Sequence, residues 1–311
     1  MAYRGRSGPP HFLSKARAAG SWEPSGSSGK SPDVRVTLWG TRGSLAAPGP
    51  ETIRYGGNTS CVEVRSKDNA LVVLDAGTGI QRLGARVCGG EGRIDLLLTH
   101  LHMDHIQGLG FFEPLYDPDR EIHLWGPPSP TLDLRTRLAR YLSPPLFPVR
   151  LRDLPCRLTL HNVPPERFEI GGLGVEAELV CHPGSTVGYR ISEGSRSLAY
   201  LPDHEPALGV REFPGQPEWT SGFSLAAGTE LLIHDAQYTT EEYQERIGWG
   251  HSAIPDALTF ARLTGARRLV PFHHDPTHDD AMLDRIDSTI RASDDLAFAL
   301  IAGREGATFE V

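Results

Sequence analysis

The sequence has few of the residues that mark specialised protein classes. Its four cysteines, Cys61, Cys88, Cys156 and Cys181, lie far apart, with no CxxC pair among them. Disulfide scaffolds and paired-cysteine zinc modules need a denser pattern, so four reduced thiols are expected. No apolar run approaches the roughly 20 residues that cross a bilayer, and no apolar stretch resembling an export signal opens the chain. A cytoplasmic protein is the expectation. Positive charge is also short, with 31 Lys and Arg against 39 Asp and Glu in 311 residues, a net charge of −8. That balance excludes a broadly basic surface for long nucleic acid, although a local patch or a bound cation can still hold phosphate. No internal repeat is present. Hydrophobic residues make up 39%, enough for a sizeable core.

Residues 1–32 are rich in Gly, Ser, Pro and basic residues, with Glu23 the only acid. Such a stretch buries too little apolar surface to offset its ordering entropy. It reads as a flexible tail; the alternative is a basic arm that touches RNA or a partner. From Asp33 onward, short runs rich in Val, Leu and Ile predict strands at Val34–Trp39, Cys61–Val64, Leu71–Asp75, Ile94–Thr99, Glu121–Trp125, Gly174–Cys181, Thr186–Ile191, Ser197–Leu201, Leu231–His234 and Arg268–Pro271, with two more at Leu296–Ile301 and Ala307–Val311. Helices are expected at Ala253–Thr264, capped by Ser252 and stopped by Gly265, at Asp280–Ala292, and at Thr131–Tyr141. The pattern predicts a single mixed α/β (α+β) domain of layered sheets over residues 33–311.

The chemistry concentrates in Thr99-His100-Leu101-His102-Met103-Asp104-His105, directly after an apolar strand. Three imidazoles and a carboxylate within six residues make a poor core and a good ligand set for zinc or manganese. Alternation sends His100 and His102 to one ion, while Asp104 and His105, where the chain turns, reach a second. Further ligands should arrive at other strand ends, and His182, Asp203 and His273 each follow a predicted strand.

The order HLHMDH, CHPG, YLPDHE and PFHHDP resembles the metallo-β-lactamase superfamily over about Val34 to Val311. The resemblance implies a four-layer αββα sandwich and two divalent metal ions, zinc in preference to manganese at both sites. Carried over by position, it places His100, His102 and His182 on the first ion, Asp104, His105 and His273 on the second, and Asp203 between them. His274 competes with His273; the family pattern of a ligand followed three residues later by Pro favours His273. The elements His234-Asp235-Ala236 and Gly250-His251-Ser252 resemble the ribonuclease Z branch. There a histidine held by an acidic residue, more often Glu, protonates the leaving oxygen, which gives these roles to His251 and Asp235.

Only twenty residues separate His182 from Asp203, too few for the projecting arm with which ribonuclease Z enzymes grip transfer RNA. The chain therefore looks closer to armless phosphodiesterase relatives, often homodimers. Those relatives include cyclic ribosyl phosphate and cyclic-nucleotide phosphodiesterases, so the expected substrate of this chain is a small diester: a cyclic nucleotide, a ribosyl phosphate or a short RNA. The implied reaction is attack on phosphorus by a hydroxide shared between the two ions, oriented by Asp104 and completed by His251. Arg42, Asn58 and His274 are candidate substrate contacts. The alternatives are a lactone or thioester hydrolase on the same ions and a metal-containing ligand-binding regulatory module; the His251 and Asp235 elements weigh against both. His204 is expected beside the ligands or in a solvent-facing turn, and His234, His123 and His161 in structural roles.

Overall fold

The computed structural model describes residues 34–206, 213, 216–292 and 296–311; the expected tail, 1–32, lies outside the described residues. Fourteen strands follow in chain order: β1 Val34–Gly40, β2 Cys61–Ser66, β3 Leu71–Leu74, β4 Ile94–Leu97, β5 Glu121–Gly126, β6 Arg157–Asn162, β7 Phe168–Ile170, β8 Leu173–Leu179, β9 Val187–Glu193, β10 Arg196–Leu201, β11 Leu231–Asp235, β12 Arg268–Phe272, β13 Ala299–Leu300 and β14 Thr308–Glu310. The helices are α1 Ile80–Val87, α2 Met103–Ile106, α3 Leu134–Leu138, α4 Phe223–Ala226, α5 Thr240–Gln244, α6 Ile254–Thr264 and α7 Asp280–Arg291, with short 3-10 turns between.

The strands form two seven-stranded sheets, in the orders β14-β1-β2-β3-β4-β5-β6 and β13-β12-β11-β10-β9-β8-β7. In each, one half is parallel: β3 to β6 in the first and β10 to β13 in the second. Continuous apolar runs such as Leu71–Leu74 and Leu231–Ile233 are buried throughout, as strands covered on both faces must be. Val36, Val64, Leu74, Leu97, Tyr189, Tyr200, Ile233 and Phe272 pack between the sheets. Ile80, Leu83, Leu134 and Leu138 cover the outer face of the first sheet, and Leu225, Phe260, Ala261 and Ile290 that of the second. The expected αββα sandwich is therefore present. All four cysteines are free thiols, and among the described residues no helix is long and apolar enough to cross a membrane.

Several local expectations need correction. β6 and β7 carry no continuous apolar run, because β6 is an edge strand that alternates exposed and half-buried residues. The helix expected at 131–141 narrows to Leu134–Leu138, started by Asp133, whose carboxylate accepts Thr136 N–H at 2.8 Å. Ser252 does not cap α6: its hydroxyl donates to the His204 carbonyl at 2.6 Å instead. The last two strands join opposite sheets, β13 beside β12 and β14 beside β1.

Candidate metal centre

The parallel strands of both sheets end on the same side, and polar residues gather there, as is usual at the carboxyl ends of open α/β sheets. Asp75 follows β3, Thr99 to His105 follow β4, Asp203 follows β10, Asp235 ends β11 and His273 follows β12. His182 comes from the turn after β8. Two groups of four ligands result, each with donor atoms within 4.8 Å of one another: His100, His102, His182 and Asp203, and Asp104, His105, Asp203 and His273. A third, smaller group, Asp235, His251 and His273, shares His273 with the second. All seven expected ligands are thus brought together, with Asp203 in both groups.

Hydrogen bonds fix which ring nitrogens face inward. His182 Nδ1 donates to the Gly250 carbonyl at 2.8 Å, His105 Nδ1 to Asp75 at 2.8 Å and His273 Nδ1 to Gln237 Oε1 at 3.0 Å. The Thr99 hydroxyl donates to the Asp75 carboxylate, 3.0 Å away, so its oxygen accepts from His100 Nδ1 at 3.1 Å. Each of these imidazoles therefore turns a bare Nε2 into the centre. His105 Nε2 lies 3.4 Å from His273 Nε2, 3.3 Å from Asp104 Oδ2 and 2.9 Å from Asp203 Oδ1. His182 Nε2 lies 3.2 Å from His102 Nδ1, and His100 Nε2 has no hydrogen-bond partner. Lone pairs facing lone pairs and carboxylate oxygens in a buried site repel unless cations sit among them, so these residues fit two divalent ions.

The titration behaviour has the same cause. Burial, together with the neighbouring His105, holds His100 well below the ordinary histidine range. Burial likewise lowers His102 and His182. Burial opposes charge on His105, yet Asp203, Asp104 and Asp75 outweigh it and raise its proton affinity well above normal. Burial also disfavours ionised Asp203, but His105, His273 and His100 hold its carboxyl well below the usual carboxylate range. The centre is built to accept positive charge.

Asp235 and His251 adjoin both groups. His251 Nδ1 lies 2.7 Å from Asp235 Oδ2 and 4.0 Å from Asp203 Oδ2, and its ring stacks on His273 with centroids 4.9 Å apart. The shorter Asp reaches because it is fixed from several sides: it accepts from the N–H groups of His204, Gln237 and Ser252. Burial lowers the proton affinity of His251, but Asp235 above all, with Asp203 and Asp104, raises its pKa to about 9.

The three candidate substrate contacts do not face this centre. Arg42 is fully buried, and its guanidinium donates to the carbonyls of Gly56, Asp275 and His278 at 2.8, 3.1 and 2.5 Å. Asn58 Nδ2 donates to Glu305 at 3.0 Å. His274 is buried, donates Nε2–H to the Gly303 carbonyl at 2.9 Å and is pushed down to about 3 by burial. Arg42 and Asn58 tie the loop of residues 41–59 to the segments at 275–278 and 305, and His274 ties its own segment to Gly303. His204 is also buried rather than solvent-facing, and its Nδ1 meets His234 Nε2 at 2.9 Å. His123 and His161 pair at 2.9 Å on the first sheet, as expected of structural histidines.

Four residues that hold the ligands were not singled out from the sequence. Asp75, at φ 59°, accepts from Thr99, His105 and Tyr200 and so orients one ligand in each group. Gln237 holds His273, and Ser44 N–H donates to Asp104 Oδ2 at 2.8 Å. Glu205 accepts from Gly248 N–H, Gly250 N–H and the Tyr243 hydroxyl, fixing the loop that carries the His182 acceptor. An acidic residue directly after a buried strand and before Ala76-Gly77 was the one available signal for Asp75.

Comparison with known proteins agrees with this geometry. The family model described as "Beta-lactamase superfamily domain" matches residues 71–274. Ribonuclease Z of Myxococcus xanthus (strain DK1622) is 27% identical over 287 residues, covering 79% of this chain and 88% of that protein. Two solved structures share the fold. The metallo-β-lactamase fold protein YhfI from Bacillus subtilis has a TM-score of 0.65 at 18% identity, over 91% of this chain and 100% of its own. A diphosphatase from the PhnP family has a TM-score of 0.63 at 18% identity, over 89% and 98%.

Proposed function

The chain belongs to the β-lactamase superfamily as a distant relative of its ribonuclease Z and phosphodiesterase branch and is a metal-dependent hydrolase; from this premise we propose that it cleaves small phosphodiesters, with His251 as general acid. The observation that carries the reading is the Asp235–His251 pair, 2.7 Å apart and set against both ligand groups. A phosphodiester must expel an alkoxide, which needs a proton, and a positioned general acid contributes roughly 10²–10⁴ in rate. Carboxylic substrates have less use for this pair. The substrate is a cyclic nucleotide, a ribosyl phosphate or a short RNA. In support, β9, a tight turn and β10 take up most of the interval between His182 and Asp203, so no arm projects there.

Two divalent ions, zinc or manganese, would when bound supply Lewis acidity toward the phosphoryl oxygens and a nucleophilic water near neutral pH. His100, His102 and His182 would hold the first and Asp104, His105 and His273 the second, with Asp203 available to both. Asp104, braced by Ser44 N–H, orients the attacking water. Nδ1–H of His251 is given to Asp235, which leaves Nε2–H as the proton donor to the departing oxygen.

The test is turnover of the metal-loaded protein on bis-p-nitrophenyl phosphate, 2′,3′- and 3′,5′-cyclic nucleotides and a precursor transfer RNA. Hydrolysis of the small diesters, abolished in Asp104→Ala, is expected. His251→Ala should lose roughly 10²–10⁴ in kcat on cyclic nucleotides with metal content unchanged, and less on bis-p-nitrophenyl phosphate, whose leaving group needs no proton. Cleavage of the RNA alone, or no diester turnover with both ions bound, overturns the reading.

A further inference from the structure

Between the Asp235–His251 pair and the His182 ligand runs the tripeptide Gly248-Trp249-Gly250, and the centre as described does not use its tryptophan. Both glycines are left-handed, at φ 88° and 89°. A Cβ on Gly250 would come within 2.2 Å of Pro183 Cδ and 2.5 Å of His182 Nδ1, so the backbone must pass this close to the ligand. Glu205 accepts both glycine N–H groups, at 2.9 and 2.8 Å, and Trp249 N–H donates to the Arg246 carbonyl at 3.0 Å. The loop is pinned on either side of Trp249, yet the side chain itself is 60% exposed.

Ring contacts connect it to the proton donor. The His251 ring meets Tyr238 edge-on at 5.9 Å, the Arg246 guanidinium lies 5.1 Å from the Tyr238 ring, and the same guanidinium lies 6.0 Å from the ring of Trp249. A second exposed apolar side chain, Met103, follows the exposed ligand His102. A large ring on a pinned backbone and left mostly in water buries little for the fold, whereas it gives a flat ligand contact area at little entropic cost.

We infer that Trp249, with Arg246 beside it, is the platform on which the nucleobase of a nucleotide diester stacks, so that it sets specificity on the side of the acid His251. An aromatic face beside a guanidinium suits an electron-rich flat base carried on an anionic phosphate. The inference rests on the phosphodiesterase reading and deepens it by favouring nucleotides over base-free sugar phosphates.

The discriminating substrates are 2′,3′-cyclic AMP and glycerol 1,2-cyclic phosphate, the same strained diester without a base, both with the metal-loaded enzyme. Trp249→Ala should raise KM for the nucleotide about tenfold with kcat within about twofold, leave KM for the glycerol diester unchanged, and be largely rescued by Trp249→Phe. An equal change on both substrates, or none on either, overturns the inference. If the wild type hydrolyses neither, the phosphodiesterase reading falls, and titration with AMP decides the platform separately. Quenching of tryptophan fluorescence in the wild type that is lost in Trp249→Phe supports it; equal quenching in both overturns it.

Discussion

In the first ligand group His102 stands exposed, and among the described residues its ring meets only His182 within hydrogen-bond distance. In the second, all four ligands are buried, and Asp75, Gln237 and Ser44 brace three of them from behind. Similar residue types thus form two unlike groups, one with a ligand exposed to solvent and one with every ligand buried. Partners behind a ligand fix its tautomer and orientation, which raises metal affinity. His100 and His182 of the first group are braced as well, but His102 is not. The second group is therefore expected to hold its ion more tightly and the first to release its ion sooner.

The most severe way to break this contrast is Asp203→Ala, which removes the carboxylate common to both groups. Activity should fall roughly a thousandfold or more, and bound metal, measured by plasma mass spectrometry, should approach zero; retention of two ions would show that Asp203 is not shared. His102→Ala should be selective, with one ion lost and one kept, and brief chelation of the wild type should pass through the same one-ion state. Loss of both ions together would erase the distinction. Asp75→Asn weakens one ligand of each group without removing any, so metal affinity should drop about 10–100-fold, whereas Gln237→Ala should affect only the tighter ion.

The smallest effect lies behind the centre. Burial keeps His234 neutral, with its pKa pushed down to about 4 against the opposing pull of Asp235. The unfolded chain, with the group at 6.5, binds that proton more readily, so folding stability falls as pH drops below 6.5 and the loss levels off near 4. Urea midpoints across that window should slope less steeply in His234→Gln than in the wild type. Equal slopes would mean that His234 is already charged in the native state.

The ligands were legible in the sequence because metal chemistry forces rare residue types into fixed spacing: His100, His102, Asp104 and His105 within six positions, and His182, Asp203 and His273 at strand ends. The sandwich was legible because buried central strands such as Leu71–Leu74 must be continuously apolar. Bracing was not. Asp75 and Gln237 act through hydrogen bonds to residues far away in sequence, and a single Asp after a strand looks like any strand terminator. Arg42 and His274 were misread for the converse reason: a motif-rich loop does not show whether its polar side chains face substrate or the carbonyls of another segment. The edge strand β6 escaped because one side of it meets water and its apolar pattern is diluted.

The pairing of β14 with β1, Arg35 opposite Glu310 and Thr37 opposite Thr308, has a consequence for synthesis. At about 5–20 residues per second, the first strand leaves the ribosome on the order of 15–60 s before its neighbour exists. Throughout that interval β1 has an open edge, the kind of surface on which nascent chains aggregate. Arg42 waits almost as long for the carbonyls of Asp275 and His278, and His105 a shorter time for His273. Completion of the second ligand group is in this way postponed until residue 273 is made, and a chain halted between residues 203 and 273 carries four histidines and two aspartates of the ligand set without the seventh ligand.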